Sequence, residues 1–294
     1  MSRVLKSKLT LVAAVLLAAL VALALWGFWL EPASVTVSRV RLRVPRWHAE
    51  HRELKLAVLT DLHVGSPYTG LAKLASVVER TNEERPDAVL LLGDFVIGGP
   101  KDEGGERGGV VGGEFVEPEP IAEALRRLRA PLGVFAVLGN HDCWFDCERV
   151  ARALEAAGVR VLENRAARVE TGGRVFWLAG AADLWTQRPD VDGALRQVET
   201  EDPVILLTHN PDIFPRVPAR VSLTVAGHTH GGQVNLPLFG RPVVPSKFGQ
   251  RYAMGHVVEG GRHLFVSGGV GTSIVPVRFR VPPEIVILQL EPES

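Results

Sequence analysis

The sequence predicts an α/β fold of mainly buried strands behind one N-terminal apolar helix. Three observations carry this expectation: an uncharged run of membrane length, short apolar runs alternating with segments of helical period, and ligand-type side chains closing those runs. With 294 residues the chain has room for one large domain or two small ones, and 46% hydrophobic residues supply a core. Its 33 Lys and Arg balance 33 Asp and Glu, which argues against nucleic acid as the main partner, a role that needs a basic surface.

The first element is the run LTLVAAVLLAALVALALWGFWL, Leu9 to Leu30, which carries no charge. As a helix it reaches ~33 Å, enough to cross a hydrocarbon core of ~30 Å. Trp26 and Trp29 suit an interfacial aromatic belt. Arg3, Lys6 and Lys8 precede it with no acidic residue, so residues 1–8 are expected in the cytoplasm and the rest outside, single-pass in the cell inner membrane. Ala22-Leu23-Ala24 resembles a signal-cleavage site, but the apolar run is longer than a signal core and continues past it, so 9–30 reads as an anchor. Residues 31–53 follow as a juxtamembrane linker and first strand, Val35 to Val44, with Arg39, Arg41 and Arg43 on one face. That face is either solvated or in contact with anionic headgroups.

Residues 54–294 form the main domain. Strands are predicted at 54–59, 88–92, 133–138, 174–180, 204–207 and 223–225, with helices at Leu71 to Glu84, Ile121 to Arg129 and Glu148 to Ala157. HLFVSGGVG and EIVILQL are strand-rich with no helix between, which suggests a second sheet or an antiparallel edge. The Gly- and Glu-rich segment 98–120 reads as a mobile loop. Cys143 and Cys147 are the only cysteines; they can pair or stay free, and they read as isolated thiols.

What closes the apolar runs is the functional signal. LAVLT ends in Asp61-Leu62-His63, VLLLG in Asp94, FAVLG in Asn140-His141-Asp142, VILLT in His209-Asn210, and LTVAG in His228-Thr229-His230. Five of the nine histidines therefore follow buried-type strands. Strand carboxyl ends of open α/β sheets form the ligand crevice, so these groups would converge. Any one of them is common as a turn or cap residue, but so many buried carboxylates and imidazoles would be costly without a compensating cation. Without thiolate, the set suits Mn, Fe or Zn.

The ordered string D-x-H, G-D, G-N-H-D, H and G-H-x-H resembles that of the calcineurin-like metallophosphoesterases. GHTHGGQVNLPLFG, YAMGH, SGGVGTS and PVRFRVPPEIVILQL are similar to their bacterial membrane-anchored YkuE/YaeI-like branch, and the likeness runs from about Lys55 to Leu290. The resemblance implies a four-layer α/β/β/α sandwich of two mixed β-sheets holding two divalent metal ions. By position, Asp61, His63 and His230 would bind one ion and Asn140, His209 and His228 the other, with Asp94 bridging. Gly227, Gly231 and Gly232 would let the backbone bend and leave room for a phosphate. His141 would protonate the leaving oxygen or stabilise charge there. Relatives often supply a further Asp after G-D to orient that histidine; here Phe95, Val96, Ile97 and Gly98 follow, and Asp142 is expected to serve instead.

Two dications against the carboxylates of Asp61 and Asp94 leave a net charge of about +2, which favours an anionic substrate. The expectation is a metal-dependent phosphoesterase in which a dimetal-bridged hydroxide attacks phosphorus. The bond is a phosphodiester, a pyrophosphate in a lipid-linked nucleotide sugar, or a phosphomonoester, with an amphiphilic substrate favoured by the anchor. A non-catalytic metal-binding scaffold is the alternative, and such a scaffold would be expected to have lost ligands or His141.

Overall fold

The computed structural model describes residues 3–51, 54–98 and 109–293. Helix α1 (Arg3–Leu25) runs on through a π-helical turn, Trp26–Leu30, into a last turn α2 (Glu31–Ala33). The span Ser7–Ala33 is long and apolar enough to cross a membrane; its most apolar stretch lies outside the folded body, while Gly27, Glu31 and Pro32 at its end are buried against it.

Two six-stranded sheets follow. The first has the order β1 (Thr36–Val44), β12 (Glu284–Pro292), β2 (Lys55–Leu59), β3 (Ala88–Leu92), β4 (Val134–Val137) and β5 (Arg160–Val161). The second has the order β10 (Gly255–Glu259), β11 (Arg262–Val266), β9 (Leu223–Ala226), β8 (Val204–Thr208), β7 (Arg174–Ala181) and β6 (Ala166–Thr171). Both are mixed: β12 runs antiparallel to β2, β10 to β11 and β6 to β7, and the remaining pairs are parallel.

Side-chain alternation at period two explains the layering. In β2, Leu56 and Val58 face the second sheet, where Leu178, Ile205, Leu207, Leu223 and Val225 meet them. Ala57 and Leu59 face outward onto α3 (Leu71–Glu83), α4 (Pro118–Leu125) and α6 (Cys147–Ala156), through Leu74, Val77, Ile121, Leu125, Val150 and Leu154. The outer face of the second sheet is covered by α7 (Val191–Leu195) and the tight turns Pro211–Arg216 and Gly249–Tyr252, which contribute Ala194, Ile213, Phe214 and Tyr252. The result is the expected four-layer α/β/β/α sandwich.

Several expectations shift. β1 is bonded along its length to β12, so the strand assigned to the juxtamembrane segment is the edge of the first sheet, and the domain begins before residue 54. Its arginines form a solvated face that meets protein groups: Arg39 pairs with Glu84 at 2.5 Å, Arg43 with Glu291 at 3.8 Å, and Arg41 donates to Gln289 at 3.4 Å. Within the segment read as a loop, positions 99–108 lie outside the described residues, and Pro118 already opens α4. A proline in the first turn lacks only an N–H that has no helical partner there, so it starts a helix well. HLFV joins the second sheet, whereas EIVILQL crosses into the first as β12. Cys143 and Cys147 are not isolated thiols but a disulfide with Cα atoms 4.2 Å apart. The short helix α5 (Asn140–Phe145), ahead of α6, folds the chain back so that the two sulfurs meet.

Because Leu207 sits fully buried between the sheets, Leu207→Ala should lower stability by about 2–5 kcal/mol through lost burial and a residual cavity. Denaturant midpoints of the detergent-solubilised chain check this; an unchanged midpoint would show that the sheets do not close over this side chain.

Candidate metal centre

The carboxyl ends of β2, β3, β4, β8 and β9 meet at one edge of the sandwich, and each delivers the groups expected of it. Backbone bonds knit these ends together: Asp61 N donates to Gly93 O, His63 N to Asp94 O and Gly227 N to His209 O, all at 2.9–3.0 Å. Asp61, His63, Asp94, His228 and His230 have φ between 40° and 69°, the left-handed region that side chains usually avoid. Such strain persists where surrounding structure over-determines it, commonly at functional sites. Gly227 is required for packing: a Cβ there would overlap Thr60 Oγ1 and the Asp61 carboxylate. Its missing bulk therefore makes room for protein and not for phosphate.

Ligand atoms of Asp61, His63, Asp94 and His230 lie within 4.8 Å of one another, as do those of Asp94, His209 and His228. Asp94 is common to both groups. Its Oδ2 stands 3.3 Å from His63 Nε2 and 3.2 Å from His209 Nε2, while its Oδ1 accepts the His141 N–H at 2.9 Å. His63 Nε2 and His230 Nε2 are 3.1 Å apart, and so are His209 Nε2 and His228 Nδ1. Nitrogens each ~2.0–2.1 Å from a shared cation come to about 3 Å from one another, so the spacing fits. His209 Nδ1 faces the Leu92 carbonyl at 2.7 Å and donates its N–H there, turning Nε2 toward Asp94. Burial opposes charge on the ring, yet Asp94 and Asp61 hold its pKa well above the usual range, and a cation bound at Nε2 would take the place of that proton.

The oxygens fit as well. Asp61 Oδ2 accepts Thr60 Oγ1 and the His228 N–H, whereas Asp61 Oδ1 is buried without a hydrogen-bond partner, 3.3 Å from His230 Nε2. Asn140 Oδ1 is likewise buried and unpaired. Orphaned buried acceptors are costly and demand a reason, and a cation supplies one. Burial opposes ionisation of Asp94, yet the imidazoles of His209, His141 and His63 hold its carboxyl well below the usual range. Burial, followed by neighbouring imidazoles, keeps His228 and His230 neutral, the form in which they can bind a cation.

His141 lines the same cavity, its ring edge-on to His63 at 4.5 Å and against Trp144 at 4.7 Å. Burial, partly offset by Asp94, pushes its pKa down to about 4. Asp142 does not orient that ring. Its carboxylate accepts the N–H groups of Asp94, Phe95, Val96 and Gly139 at 2.8–3.3 Å, so it fixes the turn that presents Asp94. The reason is geometric: at the third residue of α5 the side chain folds back onto the helix start, whose N–H groups need acceptors.

Sequence reasoning missed three contributors. Asp183 follows β7 as the other ligand-type residues follow their strands, and the same rule would have found it; it is buried and accepts from Trp185 N, Thr186 N and Thr186 Oγ1. That turn lays Trp185 edge-on to His228 at 4.3 Å, with Trp144 6.3 Å away. Arg278 is fully buried and donates to the carbonyls of Gly268, Gly269, Gly271 and Val281. No local sequence signal marks an arginine for the interior.

A family model for the calcineurin-like phosphoesterases matches residues 54–232. The chain is 31% identical over 240 residues to the uncharacterized metallophosphoesterase YkuE of Bacillus subtilis, covering 81% of this chain and 79% of that one. It is 32% identical over 257 residues to the phosphodiesterase YaeI of Escherichia coli, covering 85% and 87%. A Danio rerio protein named transmembrane protein with metallophosphoesterase domain is 28% identical over 283 residues, 92% of this chain and 60% of that one. With the fold, the paired ligand groups and the extent of these matches in agreement, the chain belongs to the calcineurin-like phosphoesterase family and is a phosphoester hydrolase with a buried Asp/His metal-binding cluster.

Proposed function

We propose that this hydrolase cleaves a phosphodiester or pyrophosphate bond in an amphiphilic, lipid-linked substrate at the membrane. One observation carries the substrate class. A cavity of about 1190 Å³ has Asp94, Asn140, His141 and His228 at its polar end and Ile97, Val110, Trp144, Val243, Ile274 and Val277 along its walls. Val277 also packs against Gly27 of the apolar helix, so the apolar walls lead from the ligand cluster toward the anchor. A lipid phosphate matches both ends. The name of the relative YaeI, a phosphodiesterase, favours the diester.

Asp61, His63 and His230 would hold one divalent cation and Asn140, His209 and His228 a second, with Asp94 shared. Imidazole, carboxylate and amide oxygen without thiolate suit Mn, Fe or Zn. When bound, such ions supply Lewis acidity and the means of activating water near neutral pH. The protein's part is positional. Asp142 clamps the turn of Asp94, Thr60 and the His228 N–H fix Asp61, and Leu92 sets the His209 tautomer. His141 acts at the leaving oxygen, and its lowered pKa favours donation of a hydrogen bond from the neutral ring over carrying a proton there.

The same reading puts the catalytic domain on the extracytoplasmic face, anchored by the apolar helix. The cationic start of the chain favours this orientation. Arg39, Arg41 and Arg43, which would oppose it if free, are on a folded strand. The Cys143–Cys147 disulfide suits an oxidising compartment.

Asp94→Asn keeps the shape but removes the shared charge. Activity on a phosphodiester with Mn²⁺ should fall by at least about 10²-fold, the scale of losing one electrostatic stabiliser. Metal analysis should show that fewer than two ions remain; two tightly held ions with near-normal turnover would refute the bridging role.

His141→Gln should keep its metal content and lose roughly 10²–10⁴ in rate, the usual worth of a group acting on the leaving oxygen. The loss should shrink for nitrophenyl esters, whose leaving group needs little help. Equal losses across leaving groups would assign His141 another role.

For topology, an alkaline phosphatase fused after Leu290 should be active and a green fluorescent protein exported by the general secretory route dark. The reverse pattern would place the site in the cytoplasm.

A further inference from the structure

Among the described residues, the four most exposed large apolar side chains outside the N-terminal helix lie on two neighbouring loops. Leu238 is 102% exposed, Phe239 77%, Val243 71% and Ile274 69%. Leu236 and Gly240 exchange backbone bonds at 2.7 and 2.9 Å, closing a hairpin whose tip is Pro237-Leu238-Phe239. Leu238 is held at φ 70°. A bulky residue in the left-handed region is strained, and its side chain outside the fold gains nothing from the core.

These loops are tied to the end of the anchor. Asn235 N donates to Phe279 O at 2.9 Å, which roots the hairpin on segment 277–279. That segment packs on Gly27: Arg278 N donates to Gly27 O at 2.9 Å, and a Cβ at Gly27 would lie 3.6–3.9 Å from Arg278 O, Val277 and Phe279. Gly27 belongs to the uncharged run that ends at Leu30, between Trp26 and Trp29. Indole side chains mark the headgroup level. With the helix spanning as proposed, a hairpin rooted at Gly27 would sit at the depth where headgroups give way to acyl chains. Arg280, exposed beside Phe279, is placed for headgroup phosphate.

We infer that the 236–243 hairpin tip and Ile274 insert into the outer interface of the same bilayer that the anchor spans, forming a second membrane contact at the mouth of the catalytic cavity. Val243, Ile274 and Val277 line that cavity, so the contact would let a lipid pass from the bilayer to the ligand cluster without crossing water. The inference rests on the spanning reading of the helix. Apolar side chains on a small rim bind an interface weakly alone, but beside a spanning helix they need only tilt the domain onto the membrane.

The test uses the full chain in phosphatidylcholine–phosphatidylglycerol vesicles, labelled with an environment-sensitive nitrobenzoxadiazole probe at Phe239→Cys or, as control, Val258→Cys. Val258 is 53% exposed beside the Glu259–Arg262 turn, at the opposite end of the second sheet from the ligand cluster. Labelling without reductant leaves the Cys143–Cys147 pair unreactive. The probe at 239 should show a blue-shifted emission, several-fold brighter than at 258, and lipids with a nitroxide near the headgroup should quench it. Equal, water-like emission at both positions would overturn the proposal. So would a shielded probe that lipid nitroxides do not quench, which would assign the rim to a protein surface such as a second copy. Carbonate extraction separates the two readings. Retention in the membrane with a water-like probe sinks the second contact alone, while release by carbonate sinks the spanning helix and the contact with it.

Discussion

Asp94 carries its carboxylate where almost no solvent reaches it, with a histidine from each half of the site on one oxygen. A buried carboxylate is expensive unless charge and hydrogen bonds surround it. The rest of the centre follows from that requirement. His63 comes from the first sheet and His209 from the second, so the two sheets must pack at the separation that lets both reach Asp94 Oδ2. Leu90, Leu92, Leu207 and Val225, interdigitated between the sheets, set that separation. The apolar core is in this sense part of the site's geometry, since a shift of one sheet would part the two imidazoles. Asp94 Oδ1 accepts from His141 N, so the same residue fixes where α5 starts and hence where Asn140 and His141 point.

The left-handed turns are the local counterpart of this constraint. Asp61 and His63, and likewise His228 and His230, are separated by one residue, the spacing that puts two side chains on one face of a strand. Here the strands have already ended, and both members of each pair lie at positive φ. The chain doubles back tightly enough for Thr60, Asp61 and Gly227 to touch across the gap between sheets. Asp is among the residues that accept this conformation most readily, His is enriched in it, and neither is β-branched. Residue choice at these turns thus answers to backbone conformation and ligand chemistry together.

Most of the fold was legible because its signals are local. Buried parallel strands read as unbroken apolar runs, and the ligand groups stand next to those runs in the chain. The misreadings share a different physics. Ala166–Thr171 is a half-exposed edge strand with no apolar run, so β6 was invisible. Pro118 looked like loop composition, although proline suits a first helical turn. Asp142 was credited to His141 because it is adjacent in sequence, but its partners are N–H groups up to 48 residues away. Cys143 and Cys147 meet only because α5 ends and α6 begins between them, a break that spacing alone does not reveal. Arg278 is the extreme case, since its burial is decided wholly by carbonyls that tertiary structure brings to it.

That arginine also joins the two ends of the molecule's chemistry. Its guanidinium donates to the carbonyls of Gly268, Gly269 and Gly271, and in the same loop Gly271 N donates to Asp61 O at 2.6 Å and a Cβ at Gly269 would press on Asp61. Its own backbone N–H meets Gly27 of the N-terminal apolar helix, and Val281, whose carbonyl it also binds, donates to Glu31 Oε1 at 2.6 Å. Burial lowers the guanidinium pKa to about 10, with Asp61, Glu284 and Glu31 opposing the shift, so it remains charged. A buried cation whose three nitrogens all donate to carbonyls cannot shift without leaving several of those carbonyls unpaired, each a loss of about 1–3 kcal/mol. The end of the apolar helix and the backbone of Asp61 are therefore held by one rigid group. On the proposed reading of a lipid-linked substrate, this coupling would keep the ligand cluster at a constant height above the membrane, with Arg278 as the group that fixes it.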